Sequence, residues 1–212
     1  VFIKSKNLNM RFMEGLLQQP SVQQDTNNHA GSEEITLLNE RFENAISRLK
    51  DTHLKGKRLR SFFSLLNRQY VYELPWYIII GPPGVGKTVA LVNSGLQFPL
   101  AEHHGQKKIQ GVGGTRNCDW WFANEAVLLD TAGRYTTQDS HQEADSAAWN
   151  GFLKLLKKYR PRRPINGIIV TISLTDLMQQ SPAQQEAQAN AIRKRIQELH
   201  TELNIRFPIY VL

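Results

Sequence analysis

The sequence holds a single cysteine, Cys118, among 212 residues. One thiol excludes an internal disulfide framework and fits a reducing compartment. Long apolar runs are missing as well. None approaches the ~20 residues that a membrane-crossing helix needs, and no signal-peptide pattern opens the chain. The six histidines (His29, His53, His103, His104, His141 and His200) form no His-Glu-x-x-His or paired-Cys spacing, which argues against a zinc centre. Acidic residues are outnumbered, 19 against 26 Lys and Arg, for a net charge of +7. Much of the local excess sits in "KDTHLKGKRLR" (50–60) and "KLLKKYRPRR" (154–163). Such clusters face nucleic acid or anionic headgroups, or are solvated helix ends. No DNA- or RNA-binding signature accompanies them, so no nucleic-acid partner is expected. Hydrophobic content of 41% with charges of both signs is that of a globular chain.

Along the chain, residues 1–31 are polar and rich in Gln and Asn, and read as a flexible connector. At Ser32 the pattern changes. Ser32 is placed to cap a helix whose first turn carries Glu33 and Glu34. Ile35, Leu38, Phe42, Ile46 and Leu49 then fall on one helical face. A second basic amphipathic segment follows (Leu59, Phe62, Phe63, Leu66), so 32–73 reads as a helical linker that needs an apolar partner surface. From 74 to 212 strands and helices alternate. "WYIII" is a strand, 87–93 a helix ending near Gly95, and "TRNCDWWF" and "AVLLD" are two strands across a hairpin-length gap. A helix is expected over 145–159, a strand at "GIIVTIS", and a helix from Pro182 to Leu203 capped by Ser181 and Gln184. "PIYVL" begins one more strand. Trp120 and Trp121 must point to opposite faces, and Cys118 reads as a small buried strand residue. The implied fold class is α/β: a mostly parallel sheet with flanking helices, preceded by an N-terminal helical segment.

The chemistry concentrates in three stretches. Gly81-Pro82-Pro83-Gly84-Val85-Gly86-Lys87-Thr88 has the full Gly-x4-Gly-Lys-Thr spacing between strand and helix. In such a phosphate-binding loop backbone N–H groups surround phosphate oxygens, the lysine reaches the β- and γ-phosphates, and the threonine hydroxyl ligates Mg²⁺. Lys87 is expected to face solvent until phosphate arrives. In "AVLLDTAGRY" four apolar residues deliver Asp130 to a strand end, where it holds Mg²⁺ through water. Thr131 follows, where ATPases of the AAA type carry a water-activating Glu. Asp-Thr-Ala-Gly instead resembles the D-x-x-G motif of Ras-like GTPases, whose glycine (Gly133 here) meets the γ-phosphate. In "GVGGTRNCDWW", Thr115 resembles a switch threonine that closes over Mg²⁺. Arg134 stands where Ras-like enzymes place a water-orienting Gln. A guanidinium is no base, so Arg134 either stabilises phosphoryl charge or is a surface or interface charge. Asp176 in "ISLTD" reads as closing a turn, not as a guanine-specificity residue.

With "ELPWYIIIGPPGVGKT", "LVNSGLQFPLAE", "GVGGTRNCDWWFANEAVLLDTAGRYTTQDS" and "RPRRPINGIIVTISLTDL" in order, the chain resembles the TssM/IcmF (VasK) family of type VI secretion systems, from about Leu37 to Leu212. The resemblance implies a Ras/GTPase-like P-loop domain on the cytoplasmic side of the bacterial inner membrane. It places 1–31 after a transmembrane segment and makes 74–212 a nucleotide-binding domain whose end is cut. Implied partners are a DotU-like inner-membrane protein, an outer-membrane lipoprotein, the baseplate and further copies in an oligomeric complex. The bound species would be Mg²⁺ with ATP or GTP. In Ras-like order "PIYVL" leads to an N/T-K-x-D base-reading motif, expected just past Leu212. Three functions stay open: a nucleotide-dependent switch with slow or partner-stimulated hydrolysis, a scaffold using nucleotide as a folding cofactor, and a P-loop ATPase.

Overall fold

The computed structural model describes residues 22–56, 69–98, 115–139 and 142–212. Its centre is strand β1, Trp76–Ile80. Three consecutive isoleucines suit a strand covered on both faces, because β-branched side chains pack well on a pleated surface. Around it the sheet runs β2-β3-β1-β4-β5, with β2 at Cys118–Phe122, β3 at Val127–Thr131, β4 at Gly167–Val170 and β5 at Ile209–Val211. β1 pairs in parallel with β3 and β4, and β4 with β5. β2 is antiparallel to β3, joined by a tight turn in which the Ala123 amide donates to the Ala126 carbonyl at 2.9 Å. The mostly parallel sheet and the hairpin are therefore both present, in a mixed five-stranded α/β arrangement.

Helix α1, Val22–Gly56, packs against α4, Gln142–Tyr159, over one face of the sheet. The predicted stripe is the contact: Leu38 and Phe42 are fully buried, and Ala45 and Leu49 nearly so. Phe42 is the hub. Its ring meets Trp120 edge-on at 4.8 Å and stacks on Tyr159 at 5.2 Å, with Phe152 at 5.8 Å and Trp76 at 6.4 Å. Truncating a buried Phe costs about 3–5 kcal/mol, so this side chain is a main apolar anchor of α1 on the sheet. On the opposite face Ile79, Leu91, Trp121 and Leu128 form a smaller cluster, with Phe98 edge-on to Trp121 at 5.2 Å. The adjacent tryptophans thus serve two layers, as strand alternation requires.

Three local readings change. α1 begins at Val22, and Ser32 lies inside it rather than capping it; its carbonyl accepts a hydrogen bond from Thr36 Oγ1 at 3.0 Å. Nothing from 22 to 31 breaks a helix outright, and a lone internal glycine, Gly31, costs only about 1 kcal/mol. Asp176 is not in a turn but in the first turn of a short helix, α5 (Leu174–Gln179), where its amide donates to the Ser173 cap at 3.2 Å. Of the second basic cluster, Lys154, Lys157, Lys158, Arg162 and Arg163 are exposed, but Arg160 is buried. Its guanidinium lies 4.6 Å from the Trp76 ring and 5.1 Å from Tyr72, and burial lowers its pKa to about 10. The segment carrying Leu59, Phe62, Phe63 and Leu66, and the glycines of 111–114, lie outside the described residues. The capping of α6, Pro182–Leu203, is as read: Gln184 N donates to Ser181 Oγ, and Ser181 N to Gln184 Oε1.

Candidate functional site

β1 runs into Gly81 and the chain turns through Gly86 into helix α2, Lys87–Val92. Gly84 and Gly86 take φ of 81° and 83°, left-handed values that favour glycine and let the loop curl in so few residues. The Lys87 ammonium is not solvent-facing. It folds back over the loop and donates to the Gly81 carbonyl at 2.9 Å and the Pro82 carbonyl at 3.0 Å. Two inward carbonyls and the charge of Asp130 hold it there, while burial lowers its pKa. The Gly81 amide donates to Thr136 Oγ1 at 3.1 Å.

Three oxygen-bearing side chains meet beside this loop. Thr88 Oγ1 donates to Asp130 Oδ2 at 2.5 Å, and Thr115 Oγ1 donates to the same oxygen at 2.9 Å. The two hydroxyls are 3.3 Å apart. Asp130 is fully buried at the end of β3, and its other oxygen, Oδ1, has no hydrogen-bond partner among the described residues. Burial raises its pKa, against the two hydroxyl bonds and the Lys87 charge. A carboxylate and two hydroxyls are hard oxygen donors, the set Mg²⁺ takes, and an orphaned buried carboxylate oxygen leaves a coordination position to fill. The residues fit the implied ion.

The turn after β3 closes on the loop. Gly133 opens helix α3 (Gly133–Thr137), and a Cβ there would fall 2.4 Å from Pro83 N and 2.8 Å from Pro82 C, so only glycine allows the approach. Thr131, in the position where AAA ATPases carry Glu, is buried and donates to the Ile79 carbonyl at 2.6 Å. Arg134 has every nitrogen engaged. Nη1 pairs with Asp145 and Nη2 with Glu34, while Nε and Nη2 donate to the Arg116 carbonyl at 3.1 and 2.9 Å. Burial would lower its pKa, but the Glu34 and Asp145 carboxylates outweigh this and raise it.

Sequence reasoning did not find the centre of that network. Glu34 accepts from Asn117 Nδ2 at 2.6 Å, from Arg134 and from the Tyr135 hydroxyl, whose pKa burial and the carboxylate push up. Its partners lie 83, 100 and 101 residues away, so no local pattern announces them. One signal was available: Glu34 stands one turn before Leu38, in phase with the buried stripe.

The sheet order and the loop geometry define an α/β domain that presents a Gly-x4-Gly-Lys-Thr loop beside a buried aspartate. A family described as the IcmF-related N-terminal domain matches residues 142–212. The chain is also 58% identical over 183 residues to the type VI secretion system component TssM1 of Pseudomonas aeruginosa, an alignment covering 86% of this chain and 16% of that protein. The chain belongs to the TssM/IcmF family of type VI secretion proteins. It spans 16% of the length of the curated relative it matches. Among the described residues no helix is long and apolar enough to cross a membrane.

Proposed function

We propose that this chain is a Mg²⁺–nucleoside triphosphate binding domain of the type VI secretion membrane complex, working as a conformational switch. The observation that carries the reading is the meeting of Thr88, Thr115 and Asp130 beside the Gly81–Thr88 loop. Those three residues come from a helix start, a loop and a strand end, and no packing requirement of the fold brings two hydroxyls to one buried carboxylate oxygen. Thr88 and Thr115 would hold Mg²⁺ directly and Asp130 through water, the metal neutralising charge on the β- and γ-phosphates. Backbone N–H groups of Gly84, Val85 and Gly86 would cradle the phosphates, since Pro82 and Pro83 have none and the Gly81 amide is held by Thr136. Lys87 would exchange the carbonyls of Gly81 and Pro82 for phosphate oxygens.

Thr115 and Gly133 are then the contacts that sense the γ-phosphate, and the loop at 115–117 and α3 are the segments that respond. Hydrolysis is slow or partner-dependent in this reading. Thr131 is buried and bonded to β1, and Arg134 must leave two carboxylates before it reaches a phosphoryl group. ATP and GTP both remain candidates. The scaffold reading, in which nucleotide is a folding cofactor, is weakened because the lysine and Asp130 Oδ2 already find partners within the domain. By family, the partners would be a DotU-like inner-membrane protein, an outer-membrane lipoprotein, the baseplate and further copies of the protein, with this domain on the cytoplasmic face of the inner membrane.

The test identifies by mass the nucleotide that copurifies, then measures Mg²⁺-dependent binding and release. A switch exchanges nucleotide and requires Mg²⁺. A chain that unfolds when nucleotide is stripped is the scaffold, and one with no Mg²⁺-dependent triphosphate binding refutes the assignment.

A further inference from the structure

Glu34 lies on α1, outside the nucleotide loops, yet a single carboxylate ties down both segments that the proposed switch would move. Asn117 is two residues beyond Thr115, and its side-chain amide donates to Glu34 at 2.6 Å. Arg134 and Tyr135 directly follow Gly133, and both donate to the same Glu34 oxygen. Arg134 then returns to the first loop through the Arg116 carbonyl and crosses to α4 through Asp145. Charge-assisted bonds of this kind are about twice as strong as neutral ones, and this group is shielded: the Glu34 side chain is 12% exposed and that of Asp145 2%. α1 makes a second, separate tie to the sheet, where Arg41 Nη1 donates to the Cys118 carbonyl at 2.7 Å and to Asp119 at 2.8 Å. A helix that only covered the core would need the Phe42 stripe and no carboxylate shielded from water. Shielding the Glu34 carboxylate is costly unless its partners are in place. The position of α1 and the position of the two loops are therefore one equilibrium.

We infer that Glu34 is a positioning residue through which α1 controls nucleotide release: docked, α1 holds the Thr115 loop and the Gly133 segment over the site; lifted, it frees both together. This rests on the nucleotide-binding reading above. Coupling runs in both directions, since any ligand that favours the closed loops must favour docked α1 by the same factor. A partner or a force acting on α1 would thus speed release without touching the phosphate loop.

The experiment measures release of fluorescently labelled ATP and GTP with Mg²⁺ from the 212-residue chain, alongside amide exchange at 115–117 and 133–137. Glu34→Gln keeps the shape and removes the charge. Release should rise about tenfold, equivalent to ~1.4 kcal/mol, with faster amide exchange in both segments at once. Asn39→Ala serves as the control, because it removes α1 bonds to Lys158 and Tyr159 on the far part of the α1–α4 contact. It should lower the melting temperature and leave release unchanged. Should Glu34→Gln not fold, Asn117→Ala cuts the first-loop tie alone and should accelerate both release and exchange at 133–137. Wild-type release rates in Glu34→Gln, or equal acceleration in Asn39→Ala, overturn the inference while leaving nucleotide binding intact. If the wild type binds no nucleotide, that reading falls. The exchange arm then decides separately, and unchanged protection of 133–137 in Glu34→Gln overturns the coupling.

Discussion

Replacing Gly133 by alanine tests the closest contact of the candidate site. The added methyl would fall 2.4 Å from Pro83 N, 2.5 Å from Pro83 Cα and 2.8 Å from Pro82 C. All three are backbone atoms of the Gly81–Thr88 loop, so no side chain can rotate away. Two consecutive prolines also fix the loop's φ angles and stiffen it. Ordinary contact with a methyl begins near 3.4 Å, so α3 and the loop must separate by about 1 Å. Overpacking of this kind costs about 1–3 kcal/mol. At ~2–4 °C per kcal/mol for a chain of this size, the melting temperature should fall by roughly 2–12 °C. The functional effect is more specific. A 1 Å shift moves the Gly133 amide away from where a γ-phosphate would sit, and displacement on this scale is worth up to about a hundredfold. Triphosphate affinity should drop by tenfold or more while diphosphate affinity changes little. Gly95→Ala is the comparison, since Gly95 has φ of 74° but no atom of the described residues within 4 Å of its added methyl. It should lose about 1–2 kcal/mol from left-handed strain and keep the wild-type ratio of triphosphate to diphosphate affinity. Calorimetry with both nucleotides and a thermal melt of each variant suffice. A Gly133→Ala protein that melts within a degree of wild type, or loses both nucleotides equally, refutes the reasoning.

Lys87→Ala should abolish most triphosphate binding by calorimetry with Mg²⁺, while a denaturant melt shows a folded domain weakened by about 1–3 kcal/mol, because the Gly81 and Pro82 carbonyls lose their donor. Cys118 is fully buried, and burial with the neighbouring Asp119 charge raises its pKa well above the ordinary thiol value. Iodoacetamide at pH 8 should therefore leave it unmodified in the native protein and label it completely in denaturant; rapid native labelling would mean that β2 does not stay paired. Ser181→Ala removes the Gln184 N–H bond to the Ser181 hydroxyl, leaves the Ser181 N–H bond to Gln184 Oε1, and should cost about 1 kcal/mol in a chemical melt with nucleotide affinity unchanged.

What could be read in advance divides by the range of the interaction responsible. The five strands and the capped helix α6 follow from patterns spanning fewer than about ten residues: branched apolar runs, a Ser-Pro-x-Gln cap, glycine at a turn. Ser32 misled because capping preference is a local energy of about 1 kcal/mol, whereas α1 is held by the burial of Leu38, Phe42, Ala45 and Leu49 against residues far away in sequence. Lys87 misled for a similar reason. Its motif specifies a partner for the ammonium but not what the ammonium does alone, and the nearest acceptors are the loop's own carbonyls. Glu34 was the largest omission. A carboxylate near an expected helix start has a sufficient explanation in the helix dipole, and only the three-dimensional fold reveals the amide, guanidinium and phenol around it.

The site itself depends on one feature of sheet topology. Because β1 and β3 are neighbours and parallel, with Ile79 beside Asp130, their ends deliver the Gly81–Thr88 loop and the aspartate to the same edge. That alone would leave Thr115 unplaced. β2 runs the other way, with Cys118 opposite Thr131, so its beginning lies at the end of β3. The residues that precede it arrive over Asp130 rather than at the far edge of the sheet, and Thr115 reaches the carboxylate only three positions before Cys118. A parallel β2 would carry Thr115 the length of the sheet away. The same reversal puts Asn117 and Arg116 within reach of α1 and Arg134, so the antiparallel hairpin that completes the candidate metal site also connects it to the helix packed over the sheet.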